Sequence, residues 1–378
     1  MNRDEAIARI RAEVAAGLDP GAMLSAYSDP SRRRAIHERV RHASAVDLSD
    51  DEVASIAAEL FGFGVLQPLL DDPDVNDVLV NAADEVYVDR GGELKRVDVR
   101  FDGAPQVAEL AHRIAAGVGR ELTLERPYVD ARMRDGSRAN VVIAPIGGPT
   151  ISIRKFSRLS IPLRGPAPSW TANGAITEEA ADLLEQAVAS RGNVLIAGPT
   201  AAGKSTLLRS LAGTIPVNER IVVIEDTNEL ALPHPQVVRL EAQAARESPI
   251  GTADLVANAL RMRPDRIIVG EVRTPREAVA LLDALTSGHD GSMTTIHAAS
   301  ARGALDRLEL LLMRAGDAAP GALHRHVLSA FDVIVHLARS SRGRVVDEIA
   351  VLDEGVLRHA HAPERAWSLP ARLRRRIA

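Results

Sequence analysis

The chain has 378 residues, long enough for two folded domains with separate hydrophobic cores. Its hydrophobic content of 46% and charged content of 26% are typical of a globular protein, and the absence of cysteine excludes disulfides and thiolate metal sites. A net charge of −5 argues against a dedicated nucleic-acid-binding protein. No apolar run is long enough for a membrane span, and the N-terminus lacks the features of a signal peptide. We therefore expect a cytoplasmic protein that would reach a membrane only through partners.

The first half of the chain predicts a helical extension followed by a small α+β domain. Residues 1–45 repeat apolar positions at helical spacing, and a further helix is predicted from Ser49 to Leu60. Alternating apolar residues from Val75 to Val88 predict strands. A helix is predicted from Val107 to Gly117, then a hairpin with Asp135-Gly136 at its tip. The predicted boundaries are 1–48 for the extension and 49–156 for the α+β domain.

The second half predicts an α/β domain after a proline-rich linker at 157–176. From 177 to 355, strands alternate with helices, which predicts a mostly parallel sheet that binds ligands at the carboxyl ends of its strands. A basic tail, 356–378, follows. The predicted strands are Val194–Ala197, Ile221–Ile224, Val237–Leu240, Arg266–Val269, Met293–Ile296 and Val333–Leu337, and the predicted helices are Glu178–Ala189, Lys204–Ala212, Ala253–Leu260, Pro275–Leu285 and Ala301–Ala315.

A glycine-bounded loop between a predicted strand and a predicted helix has the pattern of a phosphate-binding P-loop. Gly198 and Gly203 let the backbone approach a phosphate chain, while loop amides and the helix N-terminus face its negative charge. Lys204, one of only three lysines among 46 basic residues, would reach the β- and γ-phosphates. The Ser205 hydroxyl would ligate Mg²⁺. The candidate nucleotide-binding residues are Gly198, Pro199, Thr200, Ala201, Ala202, Gly203, Lys204, Ser205 and Thr206.

Two carboxylates and two histidines lie at the ends of other predicted strands. Glu225 and Glu271 are candidates to orient water at the terminal phosphate, and Glu271 has the length to act on Mg²⁺ through water. An acidic turn is the alternative for Glu225. His297 is the better candidate for a γ-phosphate sensor, since neutral imidazole can both donate and accept. His289 is also consistent with a simple turn histidine, and a metal site at the histidine pair lacks further ligands.

Four ordered motifs resemble those of a known family. GPTAAGKST, IVVIEDTNEL, LRMRPDRIIVGEVR and TSGHDGSMTTIHA look like the Walker A, Asp box, Walker B and His box of the type II/IV secretion-system traffic ATPases. FGFGVLQPLLDDPDVNDVLVNAADEVYVDRGG and MRDGSRANVVIAPIGGPTISIRKF resemble the N-terminal domain of the tight-adherence (Flp-type) pilus assembly branch, near the conjugal-transfer-associated ATPases. The resemblance spans about residues 50–352.

This resemblance implies a RecA-like P-loop NTPase core, preceded by a smaller α+β domain. It implies an ATP-hydrolysing motor that uses ATP and Mg²⁺ and couples hydrolysis to domain motion in a homohexameric ring. Inner-membrane platform proteins are the implied partners, so the protein would be cytoplasmic and peripheral to the membrane. Arg138 and Arg154 match the family's phosphate-approaching arginines, and Arg134 is a weaker candidate. Ala201-Ala202 departs from the family's usual glycine followed by a small residue, which places alanine where positive φ is expected.

Three other functions stay open at this point. A non-hydrolysing, nucleotide-gated scaffold would bind ATP tightly with negligible turnover. A DNA-handling motor of the conjugation type would need a basic channel, and the net negative charge argues against it, so no stable nucleic-acid complex is expected. A small-molecule kinase is disfavoured, because the large N-terminal domain has no evident acceptor role.

Overall fold

The computed structural model describes residues 20–43, 47–91, 93–156, 161–232, 234–243, 249–316, 319–340, 343–353 and 355–359. The chain divides into two compact units, Met1–Ser157 and Arg158–Ala378. Predictions for residues 1–19 and for the tail from 360 onward lie outside the described residues. The domain boundaries proposed above stay predictions.

The N-terminal unit contains helices and an antiparallel sheet of six strands. The strands lie in the order β3-β2-β1-β6-β5-β4, and every neighbouring pair is antiparallel. The helices are α1 (Pro20–Tyr27), α2 (Pro30–Ala43), α3 (Asp50–Phe61), a 3₁₀ turn (Gly64–Leu66), α4 (Gln67–Asp71) and α5 (Ala104–Gly117), and the strands are β1 (Val75–Ala82), β2 (Glu85–Arg90), β3 (Glu93–Val97), β4 (Tyr128–Arg132), β5 (Arg138–Val142) and β6 (Thr150–Arg154).

Local sequence signals explain these elements. Ser49 caps α3 in a reciprocal capping box with Glu52, as the predicted helix start requires. The turn between β4 and β5 has Gly136 at φ 93°, a conformation that favours glycine, which confirms the predicted hairpin tip. The alternating apolar residues of β1, β2, β5 and β6 form one core with the apolar face of α5. A second cluster lies among α1, α2 and α3.

The second unit is built around an eight-stranded sheet. Its strands lie in the order β14-β13-β12-β7-β11-β10-β8-β9. The strands are β7 (Val194–Ala197), β8 (Ile221–Glu225), β9 (Val237–Glu241), β10 (Arg266–Val269), β11 (Met293–Ile296), β12 (Val333–Ser340), β13 (Gly343–Asp353) and β14 (Val356–His359), and the helices are α6 (Glu178–Ala189), α7 (Lys204–Ala212), α8 (Thr252–Ala259), α9 (Pro275–Thr286), α10 (Ala301–Ala315) and α11 (Pro320–Ala330).

Six neighbouring strands of this sheet, from β12 to β9, are parallel, which confirms the predicted mostly parallel α/β fold. One hydrophobic core covers each face of the sheet. All residues of β7, β8, β10 and β11 are buried, as strands covered by helices on both faces must be. Parallel register places the carboxyl ends of these four strands at one edge, where ligands bind in open α/β sheets.

The second unit contains elements that were not predicted from the sequence. They are α11 and the antiparallel extension formed by β13 and β14. The predicted linker contains no helix or strand from 161 to 176, but Leu163, Trp170 and Ile176 are buried in the core of the second unit.

Among the described residues, no helix has both the length and the apolar character to cross a membrane.

Candidate nucleotide site

The loop between β7 and α7 has the backbone geometry of a phosphate cradle. Gly198 has φ 152°, and a Cβ atom built on it would lie 2.6 Å from the backbone oxygen of Leu337. Gly203 has φ 96° and caps α7. Ala201 has φ 58°, so an alanine occupies the left-handed region here, as the sequence comparison anticipated. Both glycines are therefore required by the backbone path.

The predicted binding residues divide into buried and exposed positions. Lys204 and Ala202 are buried, and Gly203 and Thr206 are partly buried. The exposed ones are Pro199, Thr200, Ala201 and Ser205. Exposed loop residues above a helix N-terminus are what a bound phosphate chain requires, since the backbone amides there point outward.

The Lys204 ammonium lies inside the loop. Its Nζ donates hydrogen bonds to the carbonyl oxygens of Gly198 at 3.0 Å and Pro199 at 3.1 Å. It also lies 3.3 Å from Nδ1 of His297. Burial lowers the pKa of Lys204, and the negative charge of Glu271 opposes this shift. The lysine is thus preorganised at the point where β7 and β11 end.

His297 connects Lys204 to Glu271. Its Nε2 lies 2.8 Å from Oε1 of Glu271, while its Nδ1 faces the ammonium. An ammonium can only donate, so Nδ1 is the acceptor in that contact, and Nε2 is the ring nitrogen that faces the carboxylate. The structure therefore brings three of the predicted residues together, at the ends of adjacent strands β7, β11 and β10.

Glu271 has an acceptor that suits a magnesium shell. Its Oε1 is buried and accepts no hydrogen bond of good geometry, despite the nearby imidazole. Its Oε2 pairs with Arg273, at 2.7 Å from Nε and 2.6 Å from Nη2. A buried, unsatisfied carboxylate oxygen is costly unless a cation or water occupies it. Together with the Ser205 hydroxyl at the loop, the donor set fits Mg²⁺, which prefers oxygen ligands and retains waters.

Arg273 and Asp226 belong to the same cluster, although the sequence analysis assigned them no role. Nη1 of Arg273 donates to Oδ2 of Asp226 at 2.8 Å, and Thr252 Oγ1 donates to Oδ1 of Asp226 at 2.8 Å. Arg273 thus links the ends of β10 and β8. Arg273 follows the candidate Glu271 by two residues, and this spacing is the sequence signal that could have identified it.

Glu225 lies at the same edge of the sheet but is partnered differently. Its Oε1 accepts hydrogen bonds from the amides of Glu229 at 2.9 Å and Leu230 at 3.0 Å. A Cβ atom built on Gly270 would lie 3.1 Å from its Cγ, so it packs next to the Glu271 turn. Burial raises its pKa to about 7. No hydrogen bond or ion pair joins Glu225 to Lys204 in the described chain.

His289 is separated from the site. It precedes β11 whereas His297 follows it, so the four-residue strand keeps the two imidazoles apart. Its Nδ1 lies 3.3 Å from the Ser287 hydroxyl in the preceding turn. Within the described ranges, no group of three or more potential ligands could hold a metal ion by itself.

The predicted arginines lie in the N-terminal unit. Arg138 on β5 and Arg154 on β6 are directly opposite each other in the antiparallel ladder, and both are exposed. Arg154 Nε donates to Asp77 Oδ1 at 2.9 Å. Arg134 is exposed in the turn before β5. The ladder therefore groups Arg138 and Arg154, and their role at a nucleotide stays a prediction.

The same unit contains a cavity of about 750 Å³ that includes none of the predicted site residues. Tyr27, Arg33, His37 and Asp71 contribute to its wall. Arg33 is held by both carboxylate oxygens of Asp71 and lies 4.8 Å above the Tyr27 ring. This part of the cavity wall is therefore formed where α1 packs against α2 and α2 pairs with α4.

The parallel sheet, the P-loop and the acid and histidine at adjacent strand ends define a RecA-like P-loop protein with an N-terminal domain. The chain belongs to the type II/IV secretion system protein family, and the sequence model of that family matches residues 59–367. A Mycobacterium tuberculosis (strain H37Rv) protein assigned provisionally to conjugal transfer is 40% identical over 322 residues, covering 81% of this chain and 90% of that one. The type IV secretion system protein VirB11 of Brucella suis is 31% identical over 333 residues, which cover 79% of this chain and 92% of VirB11.

Solved structures share the fold. The ATPase DotB of Legionella pneumophila superposes with a TM-score of 0.58 at 21% identity, covering 76% of this chain and 80% of DotB. The pilus retraction motor PilT, solved with bound ADP, superposes with a TM-score of 0.54 at 21% identity, covering 78% and 82%. The family match and the two sequence relatives confirm the predicted type II/IV secretion family, whereas the Flp-type branch stays a prediction.

Proposed function

We propose that this chain is an ATP-hydrolysing motor of a type II/IV secretion or pilus assembly system. The observation that carries the proposal is the convergence of Lys204, His297 and Glu271 at three adjacent strand ends. Family membership and the ATPases that share the fold support the same activity.

The roles follow from the geometry. Lys204 and the loop amides would hold the phosphates, and the Ser205 hydroxyl with Oε1 of Glu271 would hold Mg²⁺, the latter through water. When bound, the metal neutralises charge on the phosphates. Glu271 would orient the attacking water, because Arg273 fixes one of its oxygens and leaves the other available. His297 would sense the terminal phosphate through its contacts to both Lys204 and Glu271.

Glu225 fits a supporting role better than a direct one. Its carboxylate holds the turn at 229–230 and packs beside Gly270, so it would keep the end of β8 next to Glu271. Arg138 and Arg154 would add positive charge to the transferring phosphoryl group. We also propose a cytoplasmic homohexamer that works with inner-membrane platform proteins.

ATP turnover tests this proposal. Lys204→Ala and Glu271→Gln should each lower turnover about 100-fold or more, since each removes a group that acts on the phosphates or the water. Lys95→Ala and Glu93→Gln, exposed residues of β3 in the N-terminal unit, are the matched controls and should retain wild-type turnover. Equal turnover in all five proteins would refute hydrolysis at this site.

Two further outcomes would favour the other functions. Tight ATP binding without turnover in the wild type would indicate the non-hydrolysing scaffold, for which the strained Ala201 is the structural support. Turnover stimulated by DNA and weakened by salt would indicate a DNA-handling motor, in line with the conjugal-transfer assignment of the Mycobacterium tuberculosis relative.

A further inference from the structure

The hairpin of β12 and β13 places two arginines opposite each other. Arg339 and Arg344 are direct cross-strand partners in the antiparallel ladder. Like charges in this arrangement repel and destabilise a sheet. Neither arginine side chain has a hydrogen bond or ion pair in the part of the chain that the structure describes, in contrast to the side chains of Arg273 and Arg266 of the same unit. Among the described residues, the pair is therefore a concentration of positive charge that no carboxylate neutralises.

This charge lies beside the P-loop. The sheet face that carries Arg344 also carries Val346, which packs on the core containing Leu207 and Leu208 of α7. A Cβ atom built on Gly203 would lie 3.3 Å from Cδ of Arg344 and 3.7 Å from the ring of Trp170. The arginine stem thus runs along the residue that caps the phosphate-binding helix.

The position also defines which part of a nucleotide the arginines would meet. Strand β7, which leads into the P-loop, lies between β11 and β12. His297 and Glu271 are on the β11 flank, where the terminal phosphate would react. Arg344 is on the β12 flank, across β7 from these two residues, so a phosphate chain in the loop would present its other end on that side.

We propose that Arg344, assisted by Arg339, binds the α-phosphate of the nucleotide. A guanidinium fork suits phosphate oxygens, and a bound anion would remove the repulsion between the two side chains. This inference rests on the proposed function, because it needs a nucleotide in the P-loop. It assigns the β12–β13 hairpin, a part of the fold outside the four sequence motifs, to the binding site.

Calorimetric titration with ADP and with a slowly hydrolysed ATP analogue tests the proposal. Arg344→Gln should weaken both ligands by the same factor, roughly tenfold, because both contain the α-phosphate. Arg344→Lys should lose less, since it keeps the charge. The matched control is Arg358→Ala, on β14 of the same extension. Arg358 pairs with Val351 of β13, which in turn pairs with Val333 at the start of β12, away from Arg344. That control should bind both ligands like the wild type.

The outcomes separate this inference from the proposed function. If Lys204→Ala removes binding but Arg344→Gln binds like Arg358→Ala, the inference is wrong and the nucleotide site stands. If Lys204→Ala binds ADP normally, the nucleotide site itself is wrong. A loss confined to the ATP analogue would overturn the α-phosphate assignment, and a loss of single-stranded DNA binding alone would assign the pair to nucleic acid.

A stability measurement guards against unfolding as the cause. Without nucleotide, Arg344→Gln should melt no lower than the wild type, because it removes a like-charge contact and keeps the side-chain stem over Gly203. Saturating ADP should raise the melting temperature of the variant less than that of the wild type. A lower melting temperature without ligand, with an unchanged ADP shift, would contradict the proposal.

Discussion

Glu225 and Glu271 show how two carboxylates at adjacent strand ends acquire different properties. Arg273 neutralises one oxygen of Glu271 with two short contacts. Glu225 is only 6% exposed, and amide hydrogen bonds do not fully offset the cost of burying its charge. Burial therefore raises the pKa of Glu225, whereas Glu271 is held in an ion pair with Arg273.

The stability of the protein should depend on pH through the titration of Glu225. The folded pKa of Glu225 is raised from 4.5 to about 7, so the folded state holds a proton that the unfolded state has lost. Its stabilising contribution is complete below pH 4.5 and is lost as the pH rises through 7. As the pH rises through that range, ionisation of Glu225 should lower the free energy of unfolding by about 3 kcal/mol.

Urea unfolding of the wild type and Glu225→Gln at pH 5 and pH 8 measures this effect. The variant cannot ionise, so it should be the more stable protein at pH 8 and nearly equal at pH 5. Parallel pH dependence in the two proteins would show that Glu225 does not titrate between these values.

Individual candidate residues can be proposed from the sequence where a suitable residue type coincides with the end of a predicted strand. Lys204, Glu271 and His297 all follow buried apolar strands, and the parallel register then brings them together. Glu225 also follows a buried strand, and its carboxylate accepts hydrogen bonds from the amides of its own turn, so its role at a nucleotide stays a prediction. Arg344 could not be found, since its proximity to Gly203 depends on an antiparallel hairpin more than 130 residues downstream.

At the scale of elements, the P-loop carries local strain at one alanine. Ala201 adopts φ 58°, which costs an L-residue about 1 kcal/mol relative to glycine. Its neighbour Ala202 is 1% exposed, belongs to the core beneath the loop and has no positive φ. The two adjacent alanines therefore form a matched pair for substitution.

Ala201→Gly should change the unfolding free energy by less than about 1 kcal/mol, because relief of strain offsets the greater entropy of the unfolded glycine. Ala202→Gly should destabilise by about 1–2 kcal/mol, since it removes a buried methyl group and gains no relief. Chemical denaturation of both variants against the wild type measures the difference. A larger loss for Ala201→Gly would mean that the alanine methyl itself stabilises the loop.

The strand β13 escaped prediction for a physical reason. The strand β13 includes Asp347 and Glu348, and consecutive charges interrupt the apolar pattern of a buried strand. Asp347 is accommodated by Nδ1 of His336 at 2.7 Å, and Glu348 by the amide of Ala301 at 2.8 Å. These partners are remote in sequence, so tertiary contacts stabilise a strand that local patterning does not indicate.

At the scale of the whole molecule, the proposed ring determines how activity should depend on concentration. If neighbouring chains complete each site, turnover per chain should rise steeply with protein concentration and then level off. Mass photometry with and without ATP should show larger assemblies over the same range. Constant turnover per chain down to concentrations at which only single chains are seen would contradict the ring.

Mixing inactive variants tests whether arginines are donated between chains. Lys204→Ala chains retain Arg138 and Arg154, whereas Arg154→Ala chains retain an intact P-loop. A mixture should recover part of the turnover if the arginine acts on a neighbour's nucleotide. The same mixture should remain inactive if each chain completes its own site.

The burial of Lys204 also has a practical consequence for chemical labelling. Its amine is held among carbonyl oxygens, and the residue is only 8% exposed. Lys155 is also partly buried, with a pKa lowered by burial, whereas Lys95 is exposed on an edge strand. Among the lysine side chains, an acylating dye or biotin reagent should therefore modify Lys95 first, which would allow attachment to a surface without modification of the proposed nucleotide site.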